Sequence, residues 1–292
     1  MSIAMIKGMA KTHMRGKRLL MTVGYIFLLT LWVMAGQILI GVLQLPSPFD
    51  FMEAALDGRL GMNAVTLLFP VLLILLFILG DMMHMSYRWF GLDTLAGKSV
   101  EIKDVFQGFQ KDNLKRLLSL VTLRFVIVLG WSLLFVLPGI WKAYLYSQAP
   151  NLMKQDKSLT AREALTKSEE VMKGNGWKYA LVQVTFAPWY AVPALLFVYF
   201  VWSNRWEIEV AFETGTESAE LIFGLIIAVF FMVVLLLFLF SLYVEPVKMM
   251  TKQVFYNVLM NHKKSDEYDD YEEVLLERQG LNSKRNSRRN KR

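Results

Sequence analysis

Residues 221–244 contain no charged side chain and form an aliphatic run long enough to cross a hydrocarbon core of about 30 Å as a helix. Residues 19–45 and 63–80 are equally free of charge, 179–202 likewise, and 117–137 is interrupted only by Arg124. Runs of this kind cannot be buried inside a chain of 292 residues, because too little polar surface would remain to cover them. With 55% hydrophobic residues and a mean hydropathy of +0.38, the natural solvent is a membrane. The expected fold class is therefore all-α: a polytopic membrane helix bundle of about six transmembrane helices in three hairpins, joined by interfacial elbow helices. Residues 1–262 form the integral membrane domain, and 263–292 a polar, disordered cytoplasmic tail.

The charged connections orient these runs. Lys7, Lys11, Arg15, Lys17 and Arg18 precede the first run without an acidic residue between them. That run exceeds the apolar core of a cleaved signal, about 7–15 residues, so it is expected to stay in the membrane. Enrichment in Lys and Arg places the amino-terminal segment, residues 88–116, residues 154–178 and the carboxyl tail inside, whereas the acidic loops 46–62 and 203–220 belong outside. Both termini are then cytoplasmic and the protein is multi-pass. Small residues Gly24, Gly36 and Gly41 offer close approach to a neighbouring helix, and Pro70, Pro188 and Pro193 are expected to bend their spans.

Residues 117–153 must return to the side on which they began. Pro138-Gly139 is the expected break, since proline disfavours helix at Leu137 and glycine permits a turn. The returning arm, 139–153, would be only about 22 Å long, so the hairpin is either an asymmetric pair of spans or a re-entrant loop. Lys142 is expected to snorkel beside Trp141, Tyr144 and Tyr146. Downstream, Thr160 and Glu163 make a capping box, Leu159 and Ala164 a hydrophobic staple, and Gly174 a left-handed stop, which predicts an elbow helix. A second elbow is expected around Val105, Phe106 and Phe109. The triplets Ile6-Lys7-Gly8, Phe106-Gln107-Gly108 and Met172-Lys173-Gly174 suggest a threefold repeat of elbow plus hairpin.

The candidate intramembrane polar cluster is Asp81, His84, Arg88 and Arg124. The first three share a helical face, so they either line a bundle interior or mark the helix leaving the membrane. Arg124, deep in an apolar run, needs a partner, and Asp81 is the acidic residue at a comparable depth. No cofactor or metal site is expected: His13, His84 and His262 are scattered, cysteine is absent, and no phosphate-binding glycine loop or nucleophile elbow occurs.

The motifs Phe106-x-Gly108-Phe109, Pro138-Gly139-Ile140-x-Lys142, Tyr144-x-Tyr146-Ser147-x-Ala149-Pro150 and Ala161-Arg162-Glu163-Ala164-Leu165, followed by Ser168, Met172-Lys173-Gly174 and Trp177, resemble a bacterial family of integral membrane proteins. The family is known only as a domain of unknown function and is found mainly in Gram-positive organisms. The resemblance runs from about Phe106 to Trp177 and resumes at Pro246 and Phe255-Tyr256-x-x-Leu259, with Val247 where the family has an aromatic residue. It implies a multi-span plasma-membrane protein, gives Pro138, Gly139, Lys142, Glu163, Gly174 and Trp177 a structural role, and brings no catalytic residue. The formal charge of +7 then meets the lipid bilayer, with anionic headgroups at the basic tail, and no nucleic acid. The expectation is a protein that is not an enzyme and acts through a protein partner in envelope maintenance or resistance to membrane-active agents. A transporter or channel for a small solute or ion is the alternative.

Overall fold

The computed structural model describes residues 2–42, 64–214 and 217–278, and the described chain is a helical bundle without strands. In order, the helices are α1 (Ile3–His13), α2 (Arg18–Val42), α3 (Ala64–Leu95), α4 (Lys111–Leu134), α5 (Val136–Leu145), α6 (Ala149–Gln155), α7 (Ala161–Met172), α8 (Gly176–Val184), α9 (Pro188–Ser203), α10 (Arg205–Thr214) and α11 (Glu217–Arg278). A 3-10 helix, Ile102–Phe109, joins α3 to α4, and a second, Tyr146–Gln148, joins α5 to α6.

Among the described residues, four helices are long and apolar enough to cross a membrane, and the pair α8 and α9 makes a fifth if counted as one bent span. Protein covers little of them: only 6% of the most apolar window of α11 is buried. Side chains such as Leu133, Leu137, Leu195 and Phe231 lie more than 60% exposed, so the bulk of their contact surface is left for lipid. The pair α8 and α9 bends by 50°. Pro188 opens α9 at its first position, where the missing N–H costs nothing, so the break sits before it.

The sixth expected crossing is the arm after α4, and here the structure differs from the sequence expectation. The chain breaks at Phe135, whose backbone is extended (φ −155°, ψ 136°), rather than at Pro138-Gly139. Pro138 falls in the first turn of α5, where a ring without an N–H is tolerated. Gly139 serves close approach instead of turning: a Cβ there would lie 2.9 Å from the Ser132 Cα and closer still to its hydroxyl. A ten-residue α5 rises about 15 Å, half of a hydrocarbon core. The hairpin tip, Leu133 to Leu137, is wholly apolar and exposed.

The other end of the bundle is packed. Helix α3 lies against α2, α4, α6 and α11, and α11 also takes α1 and α9. Buried Tyr87, Trp89, Phe90, Met153, Met250, Tyr256 and Phe255 fill the space between them. Helix α11 passes Pro246 unbroken and its extension carries Val254, Phe255 and Leu259 into this core. It runs on as helix to Arg278, into the stretch expected to be a disordered tail, where Glu272, Glu273, Leu275 and Leu276 are strong helix formers. The expected loop 203–220 is mostly helical, as α10 and the start of α11. The acidic loop 46–62 and the last residues, 279–292, lie outside the described residues.

The elbow α7 follows its sequence signals. The Thr160 hydroxyl accepts from the Glu163 N–H at 3.3 Å while the Glu163 carboxylate accepts from the Thr160 N–H at 2.9 Å, and Leu159 and Ala164 are buried together. The 3-10 helix Ile102–Phe109 replaces the second elbow and buries Val105 completely against the bundle. The three repeat triplets are not equivalent: Gly8 is helical, Gly108 is packed against Leu117 and Ser86, and Gly174 has φ +78°. Gly16 and Gly97 share that left-handed conformation, each just after a helix, and so mark the units better than the triplets do.

Gly139→Ala should lower stability in detergent by about 1–3 kcal/mol through overpacking of the hairpin. Adding Ser132→Gly should recover part of that loss, as read by thermal unfolding.

Candidate functional site

One turn of α3, residues 86–89, reaches four neighbours. The Ser86 hydroxyl donates to the Val105 carbonyl at 2.6 Å and accepts from the Gly108 N–H at 2.9 Å. Tyr87 donates to the Met21 carbonyl of α2 at 3.0 Å, and the Trp89 indole to the Pro150 carbonyl of α6 at 2.8 Å. Arg88 is the fourth, 3% exposed, and acts electrostatically on Lys252 of α11. At 100° per residue, four consecutive side chains sample the whole circumference of the helix.

Just below this turn, Lys154 ties α6 to α3 and the 3-10 helix. Its ammonium donates to the Trp89 carbonyl and the Gln107 side-chain oxygen at 2.7 Å each, and to the Asp93 carboxylate. Burial pushes the Lys154 ammonium down to about 8, against the opposing pull of Asp93. On the far side, Tyr256 donates to Gln155 Oε1 at 2.6 Å, fastening α11 to the same layer. A further buried network, Gln148 to Ser147 and Asn151 to Gln148 at 2.9 and 3.3 Å, closes on Ser168 of α7, which accepts from the Gln148 N–H and donates to the Leu145 carbonyl.

The four residues of the expected polar cluster do not form one group. Asp81 and Arg124 meet, carboxylate to guanidinium, at 3.6 Å across α3 and α4, both about one-fifth exposed. They line a cavity of about 200 Å³ with Phe77, Val128, Ser132 and Ala143. His84 instead lines a separate, apolar cavity of about 220 Å³ between α2 and α3, with Tyr25, Leu28, Trp32 and Tyr87. Arg88 enters neither. A shared helical stripe is thus divided among neighbours, because α3 packs against α2, α4 and α11.

Lys142 has a partner the sequence did not suggest: its ammonium donates to the Glu169 carboxylate of α7 at 2.7 Å, between the rings of Trp131 and Tyr146. Beside this pair, Trp141, Leu145, Met172, Gly176 and Trp177 line an open groove of about 610 Å³. Trp177, prominent in the sequence motif, is 66% exposed on its rim. Lys154, Asp93, Glu245 and Lys252 were not singled out by sequence. The available signal was Glu245, Lys248 and Lys252 at helical spacing on an otherwise apolar helix.

Residues 133–263 match a family model described as Protein of unknown function (DUF975). The match opens at the hairpin tip, later than the Phe106 at which the sequence resemblance begins, and continues through α8, α9 and the packed part of α11. It contains Pro138, Gly139, Lys142, Glu163, Gly174 and Trp177, and it leaves out Asp81, His84, Arg88 and Arg124. No curated protein and no solved structure matches the chain.

Asp93→Asn, which strands the Lys154 ammonium, should cost about 3 kcal/mol, and Lys154→Met in that background should restore part of it. Because the folded-state value of Lys154, about 8, lies below the ordinary 10.5, the unfolded chain binds more protons between the two. Stability from this group is lost as pH falls through 8 and fully present above 10.5. Thermal midpoints of the wild type should therefore gain on those of Lys154→Met from pH 8 to 10.

Proposed function

We propose that the chain is a non-enzymatic, multi-pass protein of the bacterial plasma membrane, with both termini cytoplasmic, that acts through a protein partner in envelope maintenance or resistance to membrane-active agents. The groove beside α7 supports this reading. Its rim carries Trp141 and Trp177, 42% and 66% exposed, with Glu170 and Lys173 at its edge. Exposed aromatic side chains flanked by charges are the composition of a recognition surface. The orientation rests on the cations gathered at the packed end, Lys11, Arg15, Lys17, Lys98 and Lys111 among them.

A transporter or channel for a small solute or ion is the second reading, favoured by the 50° break between α8 and α9, since broken helices frame substrate sites in carriers. Against it, the cavities at Asp81 and at His84 have no lining residue in common.

A photo-crosslinking residue in place of Trp177 should yield one discrete adduct in intact cells, lost when Trp141 is changed to Ala. A ladder of weak adducts, or none, would count against a partner at this groove. Proteoliposomes carrying the purified protein should move neither ions nor small solutes above the empty-vesicle rate; a flux abolished by Arg124→Gln would favour the second reading.

A further inference from the structure

Four cationic side chains lie on α3 and on the two helices packed against it: Arg88 on α3, Arg124 on α4, and Lys248 and Lys252 on α11. Arg88, Arg124, Lys248 and Lys252 all act electrostatically on His84, and Arg88, Arg124 and Lys248 act on Lys252. Two carboxylates face them, and both are engaged. Asp81 lies 3.6 Å from Arg124. Glu245 accepts from Lys248 at 2.8 Å and from the Tyr190 hydroxyl at 2.7 Å. Among the described residues, Arg88 keeps Nε and Nη2 buried without a hydrogen-bond partner. Among the described residues Lys252 makes no ion pair. Gln253, fully buried, has both polar atoms of its amide without a partner among the described residues. Gln253 packs beside Gly91, its Cγ 3.3 Å from where a Cβ would stand, and so lies within one turn of Arg88 along α3.

Burying guanidinium N–H groups without acceptors is costly, and the unpartnered atoms are specific ones. Nε and Nη2 form the side-on edge of the guanidinium, whose two parallel N–H groups match two oxygens of one oxyanion. We propose that Arg88, Lys252 and Gln253 bind a phosphate-class oxyanion between α3 and α11, carried either by the headgroup of an anionic lipid or by free phosphate. Arg88 supplies the bidentate edge, Lys252 the point charge at the partly open rim, and the Gln253 amide N–H a third donor. His84 borders the site from the side of the α2–α3 cavity, whose lining of Leu28, Leu29, Trp32 and Met83 is the surface an acyl chain would cover.

The test is thermal unfolding of the purified full chain, followed by tryptophan fluorescence, in three settings: neutral detergent with inorganic phosphate added, nanodiscs of phosphatidylcholine alone, and nanodiscs of phosphatidylcholine with phosphatidylglycerol. The site predicts a rise of about 5 °C at a hundredfold excess over Kd in at least one anionic setting. A rise with phosphate identifies the free oxyanion as a sufficient ligand; a rise confined to phosphatidylglycerol identifies the headgroup. Arg88→Gln and, should that variant not fold, Lys252→Gln must lose at least half of the rise. Neither should lower the midpoint in neutral detergent without phosphate, because each removes an uncompensated cation. A variant with Lys284, Arg285, Arg288 and Arg289 changed to Gln should keep the full rise, separating this site from the basic tail. No rise in any setting, or an equal rise in the Lys252→Gln variant, overturns the proposal.

Discussion

The turn of α3 that carries Ser86, Tyr87, Arg88 and Trp89 holds the packed end of this bundle together. In lipid, one apolar helix gains little by leaving hydrocarbon for another, so helices associate through packing and hydrogen bonds. Here three hydrogen-bonding side chains within one turn, Ser86, Tyr87 and Trp89, reach the 3-10 helix, α2 and α6. The acceptors are main-chain carbonyls in each case, which fixes the backbones themselves rather than flexible side chains. Lys154 then repeats the pattern one layer on, binding the Trp89 carbonyl, Asp93 and Gln107 together.

That arrangement divides the molecule into two zones with different physics. Toward one end, α2, α9 and the first part of α11 expose long aliphatic faces and rely on lipid for burial. Toward the other, the amphipathic α1 and α7 and the extension of α11 close over a core that resembles a soluble domain, with Met250, Tyr256 and Met153 fully enclosed. The hairpin of α4 and α5 links them. Its apolar tip belongs to the first zone, and its base, from Lys142 onward, belongs to the second through Glu169 and Ser168.

Much of the fold was legible in the sequence because its signals are local. Charge-free runs gave the long helices, Thr160 with Glu163 gave the start of α7, and Gly174 its end. Asp81, the acidic residue expected near Arg124, lies 3.6 Å from it. The hairpin break was misplaced because Pro138-Gly139 is ambiguous: proline is at home in a first helical turn, and a glycine needed for close packing looks the same as one needed for turning. The partners of Lys142 and Lys154 were invisible for a different reason. Glu169 and Asp93 are ordinary surface-type residues in their own segments, and only the tertiary arrangement brings them to a lysine. The same holds for Arg88 and Lys252, which are far apart in the chain and come within electrostatic range only once α11 docks on α3.

Charge is distributed unevenly over these contacts. Asp81 and Glu245 are already satisfied within the protein, and the guanidinium edge of Arg88 is not. The most direct measurement is a high-resolution density map of the full chain in nanodiscs containing phosphatidylglycerol, read at Arg88. Tetrahedral density is expected within hydrogen-bond distance of Nε and Nη2 and of the Lys252 ammonium. An Arg88 edge paired to a carboxylate of the protein itself, with nothing between α3 and α11, would contradict it.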